Sequence, residues 1–268
     1  MITHAVVLAR GLGRRMREAG HDEKLSAQQK RAADAGLKGM MPINGRPLLD
    51  FVLSSLADAG LRNAALVVAP GAEAAREHYA GHPPERMRLD FLVQPEALGT
   101  ANAVLAAEGW TTESFVVVNS DNLYPSEVLR RLATIGEPAL PVFRRDELSK
   151  GGNIPDERIK SFALVESGDD GYLTRIIEKP DEAHVDREGA SAGVSMNAWR
   201  FDSRIFEFAR TVPRSARGEY ELPDAVNAAI SAGMRFKTFA AAGPVLDLSR
   251  RSDAADLERR LVGVTPRP

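Results

Sequence analysis

The chain of 268 residues contains no cysteine, which excludes disulfides and cysteine-ligated zinc. It has no strong excess of either charge, with 35 basic against 37 acidic residues, and that balance argues against a general binder of nucleic acid or anionic membrane. It also lacks a long apolar run. Near the N-terminus only residues 5–9 are continuously apolar before Arg10 interrupts them, too short for a signal-peptide core or a membrane span, and no later segment reaches spanning length. These features predict a cytoplasmic protein without nucleic-acid or membrane partners. No internal repeat, low-complexity tract or interdomain linker is visible, and the five histidines are scattered. Trp110 and Trp199 read as core residues rather than as platforms for stacked bases.

What is present is an alternation. Residues 5–9, 64–69, 89–93 and 115–119 are short apolar runs of the kind that form buried strands. Residues 47–59, 72–79, 100–108 and 125–132 carry helical patterns between them. Repeated strand–helix–strand order predicts right-handed crossovers and an α/β fold, a single doubly wound, mostly parallel, Rossmann-like sheet with helices on both faces. The second half predicts a smaller, more antiparallel part, with strands at 139–143, 161–165, 173–178, 193–201 and 236–240. Helices are predicted there at 203–211, 222–232 and 252–262, and the segments 82–88 and 149–158 read as loops. We therefore expect one domain over 1–268, with a nucleotide-binding half (1–135) and a sugar-phosphate half (136–268). In parallel sheets ligands gather at the carboxyl ends of the strands, and Gly11, Gln94 and Asp121 all fall just past predicted strand ends.

The run Val6-Val7-Leu8-Ala9-Arg10-Gly11-Leu12-Gly13-Arg14-Arg15-Met16 passes from a strand through a glycine turn into arginines. Glycines let a main chain approach an anion, successive N–H groups can face phosphate oxygens, and a following cation can neutralise them. The turn is not a dinucleotide fingerprint, because Met16 stands where a third glycine is needed. Nor is it a P-loop, because Gly13 is followed by Arg14-Arg15 rather than by Lys and a hydroxyl residue. On its own it is equally a plain tight turn.

Downstream lies Lys38-Gly39-Met40-Met41-Pro42-Ile43-Asn44-Gly45-Arg46-Pro47-Leu48. After it come Gln94 with Leu98-Gly99-Thr100-Ala101, then Asn119-Ser120-Asp121, Glu178-Lys179-Pro180, Asn197, and Val245-Leu246-Asp247 before Ser252-Asp253. This series, in this order and over nearly the whole chain, resembles the sugar-1-phosphate nucleotidylyltransferases. Departures are Arg10 and Arg14 in the glycine loop, where the family has small residues, Leu37 in place of a proline, and a longer segment from Met16 to Leu37. That segment reads as a solvated helix, with a lid over the substrate as the alternative.

The resemblance implies transfer of a nucleotidyl group, in which a sugar phosphate oxygen attacks the α-phosphorus of a nucleoside triphosphate and pyrophosphate leaves. It implies that Arg15 and Lys38 neutralise the triphosphate and that Lys179 binds the sugar phosphate. Asp121 and Asp247 would hold Mg²⁺, a hard ion suited to oxygen ligands. Leu8, Ala9, Gly11, Gly13, Gln94, Gly99 and Thr100 would form the nucleotide subsite, while Glu178 and Asn197 would bond sugar hydroxyls. The amide of Gln94 would offer one donor and one acceptor to a uracil or thymine edge, with Gly99 letting backbone approach the ring. No general base is needed, since the attacking phosphate oxygen is ionised at neutral pH. Taken singly, several of these residues have plain structural alternatives. Asp121 can end a strand, Glu178-Lys179-Pro180 can be a solvated strand end, Asp247 with Ser249 can form a turn, and Asn197 can be a satisfied buried amide. Glu219 to Asp224 can be a further acidic site or a helix start with Pro223 at its first turn. Two other functions stay open at this stage, a metal-dependent glycosyltransferase and a non-catalytic nucleotide-sugar-binding regulator. The sugar, and whether the chain forms a homo-oligomer, also stay open.

Overall fold

A computed structural model describes residues 1–11, 13–18, 25–181, 189 and 191–268. In chain order the strands are β1 (His4–Leu8), β2 (Pro42–Ile43), β3 (Arg46–Pro47), β4 (Asn63–Val68), β5 (Arg88–Val93), β6 (Phe115–Asn119) and β7 (Asn122–Leu123). The second half adds β8 (Ala139–Arg144), β9 (Leu164–Ser167), β10 (Leu173–Ile177), β11 (Gly193–Val194), β12 (Trp199–Phe201), β13 (Lys237–Ala241) and β14 (Leu246–Asp247). Among the described residues, ten of these form one sheet in the order β10-β9-β11-β8-β12-β6-β1-β4-β5, with β13 beside β8. β1, β4, β5 and β6 run parallel, whereas β8 to β12 are joined by antiparallel pairs. The expected split between a parallel half and a more antiparallel half is thus present within one continuous sheet. No described helix is long and apolar enough to cross a membrane.

β1, β4 and β6 read as apolar runs because both of their faces are covered. Val7, Leu66, Val116 and Val118 pack with Val52, Leu53 and Leu56 of helix Leu48–Asp58 and with Leu129 and Leu132 of helix Ser126–Thr134. Val6, Val67, Phe115 and Val117, one residue out of phase, face the other way and pack with Val104, Trp199, Phe201 and Val226. A third cluster joins Met16, Ile43, Phe51, Leu246, Leu248 and Leu257, so the chain's last helix, Asp253–Arg260, is packed against the segment that follows the glycine loop.

Three expectations are corrected. The strand expected at 193–201 is two strands, because Asn197 takes a left-handed φ of 56° that no strand accommodates. The strand expected at 161–165 begins only at Leu164, since the amides of Ser161 and Phe162 bond back to Arg158 and Ile159. The segment 149–158 is not loop throughout: it takes in the end of helix Arg145–Gly151 and most of helix Asp156–Ile159, which starts after Pro155. Of the segment between Met16 and Leu37, residues 19–24 lie outside the described set. Its described part holds helix Ala27–Asp34, closed at its start by a Ser26–Gln29 capping box. That helix is not solvated all round, because Gln29 is buried and its amide donates to Pro42 O and Glu258 Oε1, each at 2.9 Å.

Asp50 in helix Leu48–Asp58 is fully buried. It accepts from Arg46 Nε at 2.8 Å and from the Tyr79 hydroxyl at 2.9 Å, and His78 Nε2 lies 3.0 Å away. One carboxylate therefore ties the β2–β3 hairpin to helix Glu73–Gly81. Asp50→Ala strands three buried or half-buried polar groups and should cost about 3 kcal/mol, whereas Asp58→Ala, which breaks an exposed pair with Arg86, should cost less than about 1 kcal/mol. Urea denaturation of the two variants checks this, and equal losses would contradict it.

Candidate active site

The loops leaving the carboxyl ends of β1, β4, β5 and β6 surround a cleft of about 800 Å³. Leu8, Ala9, Gly11, Gly13, Arg15, Lys38, Gln94, Gly99, Thr100, Asp121 and Lys179 all line it. The chain comes off β1 with Ala9 N donating to Val67 O at 2.8 Å, then turns at Gly13, whose φ is 57°. A Cβ on Gly13 would lie 2.5 Å from the Gly36 carbonyl oxygen, so both conformation and space demand glycine. Gly11 has neither constraint, as nothing lies within 4 Å of where its Cβ would be. Directly after the turn, helix Arg14–Arg17 buries Met16 and leaves Arg14 and Arg15 on the cleft wall. Arg10 reaches toward the carbonyls of Gln94 (3.4 Å) and Pro95 (3.5 Å).

Lys38 sits in a single helical turn, and its Nζ donates to Asp121 Oδ2 at 2.7 Å. Burial lowers the Lys38 ammonium, but Asp121 and then Asp247 outweigh it and hold it above its ordinary range. Asp121 follows β6, and its carbonyl accepts from Leu248 N at 2.9 Å, while β7 pairs with β14 so that Asn122 stands opposite Asp247. The two aspartates meet through this small ladder. Asp247 does not itself line the cleft; it lies beneath, with Oδ1 bonded to Asn122 Nδ2 and its backbone clasped by Asn153, each contact 2.8 Å. Burial, then the charge of Asp121, pushes its carboxyl up to about 6 against the pull of Arg158. Its Oδ2 is buried, makes no hydrogen bond, and faces Arg158 Nη1 at 3.1 Å.

This pair fits Mg²⁺ on the evidence of that unbonded buried oxygen. Among the described residues no group of three or more His, Cys, Asp or Glu gathers to form a closed metal cage. Mg²⁺ needs only one or two carboxylates when substrate phosphates and water complete its shell.

On the base side the structure corrects two expectations. Gln94 is 2% exposed, and its Nε2 donates to Gly99 O at 3.1 Å and to Asn102 Oδ1 at 2.8 Å. Both amide hydrogens are therefore spent inside the protein, so Gln94 has no donor to offer a base; only its Oε1 remains. Gly99 does not make room for a ring either. Its φ is 108°, and a Cβ there would lie 2.5 Å from Tyr220 O, so the space it vacates is filled by the Tyr220 backbone from the second half of the chain. Thr100 serves the same junction, its hydroxyl accepting from Leu222 N at 2.9 Å.

Lys179 and Asn197 both hold positive φ, 47° and 56°, as does Asn44 in the β2–β3 turn at 49°. Such strain in non-glycine residues persists only where surrounding structure enforces it, and it concentrates at functional sites. Lys179 lines the cleft; Glu178 and Asn197 do not, although Glu178 adjoins the cleft residue Arg217 at 3.6 Å. Burial raises the Glu178 carboxyl and the nearby Glu221 raises it further, with Arg217 opposing. Sequence reasoning missed Arg217, which also bonds Glu221 at 2.6 Å, and it missed Asn153 and Arg158. No motif marks them, although the Glu221 partner of Arg217 stands only four residues on. Of the alternatives for Glu219 to Asp224, the helix start is present: helix Leu222–Ser231 begins there with proline in its first turn.

A model of the nucleotidyl transferase family matches residues 33–245. The UTP–glucose-1-phosphate uridylyltransferase AglF of Haloferax volcanii is 26% identical over 96% of both chains. A glucose-1-phosphate thymidylyltransferase of Streptomyces griseus is 26% identical over 97% of this chain and 66% of its own. The bifunctional protein GlmU of Methanococcus vannielii is 29% identical over 70% of this chain, which spans only 41% of that relative's length. Among solved structures, a UDP-glucose pyrophosphorylase complexed with UDP-glucose superposes with a TM-score of 0.73 at 17% identity, covering 98% of this chain and 99% of that one. The inositol-1-phosphate CTP transferase from T. maritima gives the same TM-score and identity, with 98% of each chain covered. At that identity the structures attest the fold.

Two outcomes follow from the site's geometry. Gly13→Ala and Gly99→Ala should each lose more than about 1 kcal/mol of stability, while Gly11→Ala should stay within about 0.5 kcal/mol of wild type. Thermal unfolding of the three variants separates them. The raised Glu178 carboxyl stabilises the fold only while protonated; that contribution is complete below its unfolded value of about 4.3 and is lost as the pH rises through the higher folded value. Glu178→Gln should therefore melt above wild type at pH 8, with the gap closing below about pH 4. A gap independent of pH would show that Glu178 is not held in this way.

Proposed function

Because the chain belongs to the nucleotidyl transferase family, we propose that it joins a nucleoside triphosphate to a sugar 1-phosphate, forming a nucleoside diphosphate sugar and releasing pyrophosphate. The observation that carries this reading is the gathering of Arg15, Lys38, Asp121 and Lys179 in one cleft at the carboxyl ends of the parallel strands. Both substrates are polyanions, so charge neutralisation and alignment are the main demands on the protein. Arg15 and Lys38 bind the triphosphate. Lys179, held in a left-handed conformation at the far side of the cleft, binds the sugar phosphate and directs its oxygen at the α-phosphorus. That oxygen is already ionised, so the reaction needs no general base.

Asp121 and Asp247 would hold Mg²⁺, which when bound neutralises charge on the reacting phosphates. Glu178 and Asn197 are assigned to sugar hydroxyls. The 1–268 chain is read as one catalytic domain, with residues 1–135 serving the nucleotide and 136–268 the sugar phosphate; the continuous sheet supports this. The reaction is assigned to the cytoplasm, where nucleoside triphosphates are available.

The base is assigned as uracil or thymine. With both hydrogens of its amide committed, Gln94 presents an acceptor alone, and that oxygen can take the N3–H of uracil or thymine. The uridylyl and thymidylyl activities in the names of two relatives agree with this assignment. Family membership weighs against the glycosyltransferase reading. The turn of Arg10 toward the Gln94 and Pro95 carbonyls weighs against a phosphate loop blocked by its extra arginines.

A pyrophosphate-release screen across four nucleoside triphosphates and a set of sugar 1-phosphates with Mg²⁺ tests the proposal. Turnover should favour UTP or dTTP and fall at least about 10²-fold in Asp121→Ala. Lys179→Ala should raise the KM for the sugar phosphate while calorimetric nucleotide binding stays unchanged. Binding without turnover across the whole panel would leave only the regulatory reading.

A further inference from the structure

Arg15 and Lys38 reach the cleft from the two ends of one long segment. Arg15 stands in the four-residue helix Arg14–Arg17, and Lys38 comes shortly after the end of helix Ala27–Asp34. The two ends meet at the glycine loop, where Gly13 fits against Gly36 with no room for a Cβ. One turn of helix is not stable by itself, so the direction in which Arg15 points depends on what holds that turn from outside. The two cations also repel, Arg15 opposing the ionised form of Lys38. The longer the segment between such a pair, the less the chain itself constrains its ends.

A restraint on both ends comes from the far end of the chain. Arg251 is 4% exposed and stands between β14 and helix Asp253–Arg260. Its Nε donates at 2.5 Å to the carbonyl of Met16, the residue directly after Arg15. Its Nη2 donates at 2.6 Å to Oδ1 of Asp34, the last residue of helix Ala27–Asp34. Neighbouring donors of a planar guanidinium keep a fixed separation, so these contacts fix the two ends relative to each other, which the single charged nitrogen of a lysine would not do. The root of Arg251 is held as well: Asp253 accepts from the amides of Ser249 and Arg250 at 2.9 and 2.8 Å and is forked by Arg158. Neither Arg251 nor Asp34 lines the cleft. Within the segment, Arg17 Nη2 adds an exposed tie to Ala35 O at 3.1 Å.

We infer that Arg251 positions the triphosphate-binding pair: from outside the cleft it staples both ends of the segment between Met16 and Leu37, and so sets Arg15 beside Lys38 before substrate arrives. This rests on the nucleotidyl transfer reading above, which gives Arg15 and Lys38 their ligand. Arg251 touches no substrate. It acts through Arg15, by fixing the carbonyl that follows it.

Calorimetry on the full chain with Mg²⁺ tests this, using the nucleoside triphosphate that wild type binds best of the four and the matching monophosphate, which lacks most of the charge. Arg251→Met should weaken the triphosphate at least about tenfold, the scale of losing one charge-assisted hydrogen bond, and leave the monophosphate unchanged. A double-mutant cycle shows whether the effect passes through Arg15: Arg15→Ala and Arg15→Ala/Arg251→Met should bind the triphosphate equally. Asp34→Ala, at an exposed side chain, should give a smaller loss of the same kind. With melting temperature followed for every variant, Asp34→Ala takes the place of Arg251→Met in the cycle should the latter fail to fold. Equal losses for triphosphate and monophosphate, losses that add in the double variant, or no loss in the single variants would overturn the role of Arg251 and leave the proposed activity standing. No binding of any triphosphate by wild type would overturn that activity and this inference with it.

Discussion

The parallel register of β1 with its two neighbours is the constraint on which the cleft depends. Leu8 lies opposite Val67 on one side and Asn119 on the other, and Val68 lies opposite Val93. Four strands that start level and run the same way also end level, so the loops that follow them open along one edge. Since both faces of β1, β4 and β6 are packed with apolar side chains, their polar and charged groups lie at or beyond their ends. The concentration of chemistry at one edge is a consequence of core packing before it is a property of any catalytic residue.

A cleft that gathers several like charges must hold them without destabilising the fold. Here the chain supplies partners for them: Asp121 for Lys38, the carbonyls of Gln94 and Pro95 for Arg10, Ala35 O for Arg17, and Glu221 for Arg217. The buried Arg158–Asp253 pair beneath them is two-pronged and fixed to backbone amides. Among the described residues, left-handed backbone outside glycine is confined to Asn44 in the β2–β3 turn and to Lys179 and Asn197 in the second half of the chain.

The junction between the two halves is narrow and backbone-rich. Tyr220 passes against Gly99, its amide bonded to Leu98 O at 2.7 Å and its carbonyl to Ala101 N at 2.9 Å, and Thr100 bonds Leu222. A turn that looks in sequence like a nucleotide contact is in space a junction between the two halves of the chain, and its Gly99 carbonyl receives the amide of Gln94.

The sequence by itself determined the parallel strands, the helices between them and the series of motifs along them, because apolar periodicity and turn chemistry are relations between near neighbours in the chain. Gly13 belongs to that group, since a left-handed turn directly after a strand is a local demand. Tertiary structure alone decided partnership. Lys38 and Asp121 are 83 positions apart, and nothing local says that one charge will neutralise the other. Likewise nothing near Gly99 says that the space it leaves will be taken by Tyr220 rather than by a base, or that the donors of Gln94 will be consumed by Gly99 and Asn102. A residue's type limits which bonds it can make, but the partner it makes them with is set by which surfaces the core brings together, and only the folded chain specifies that.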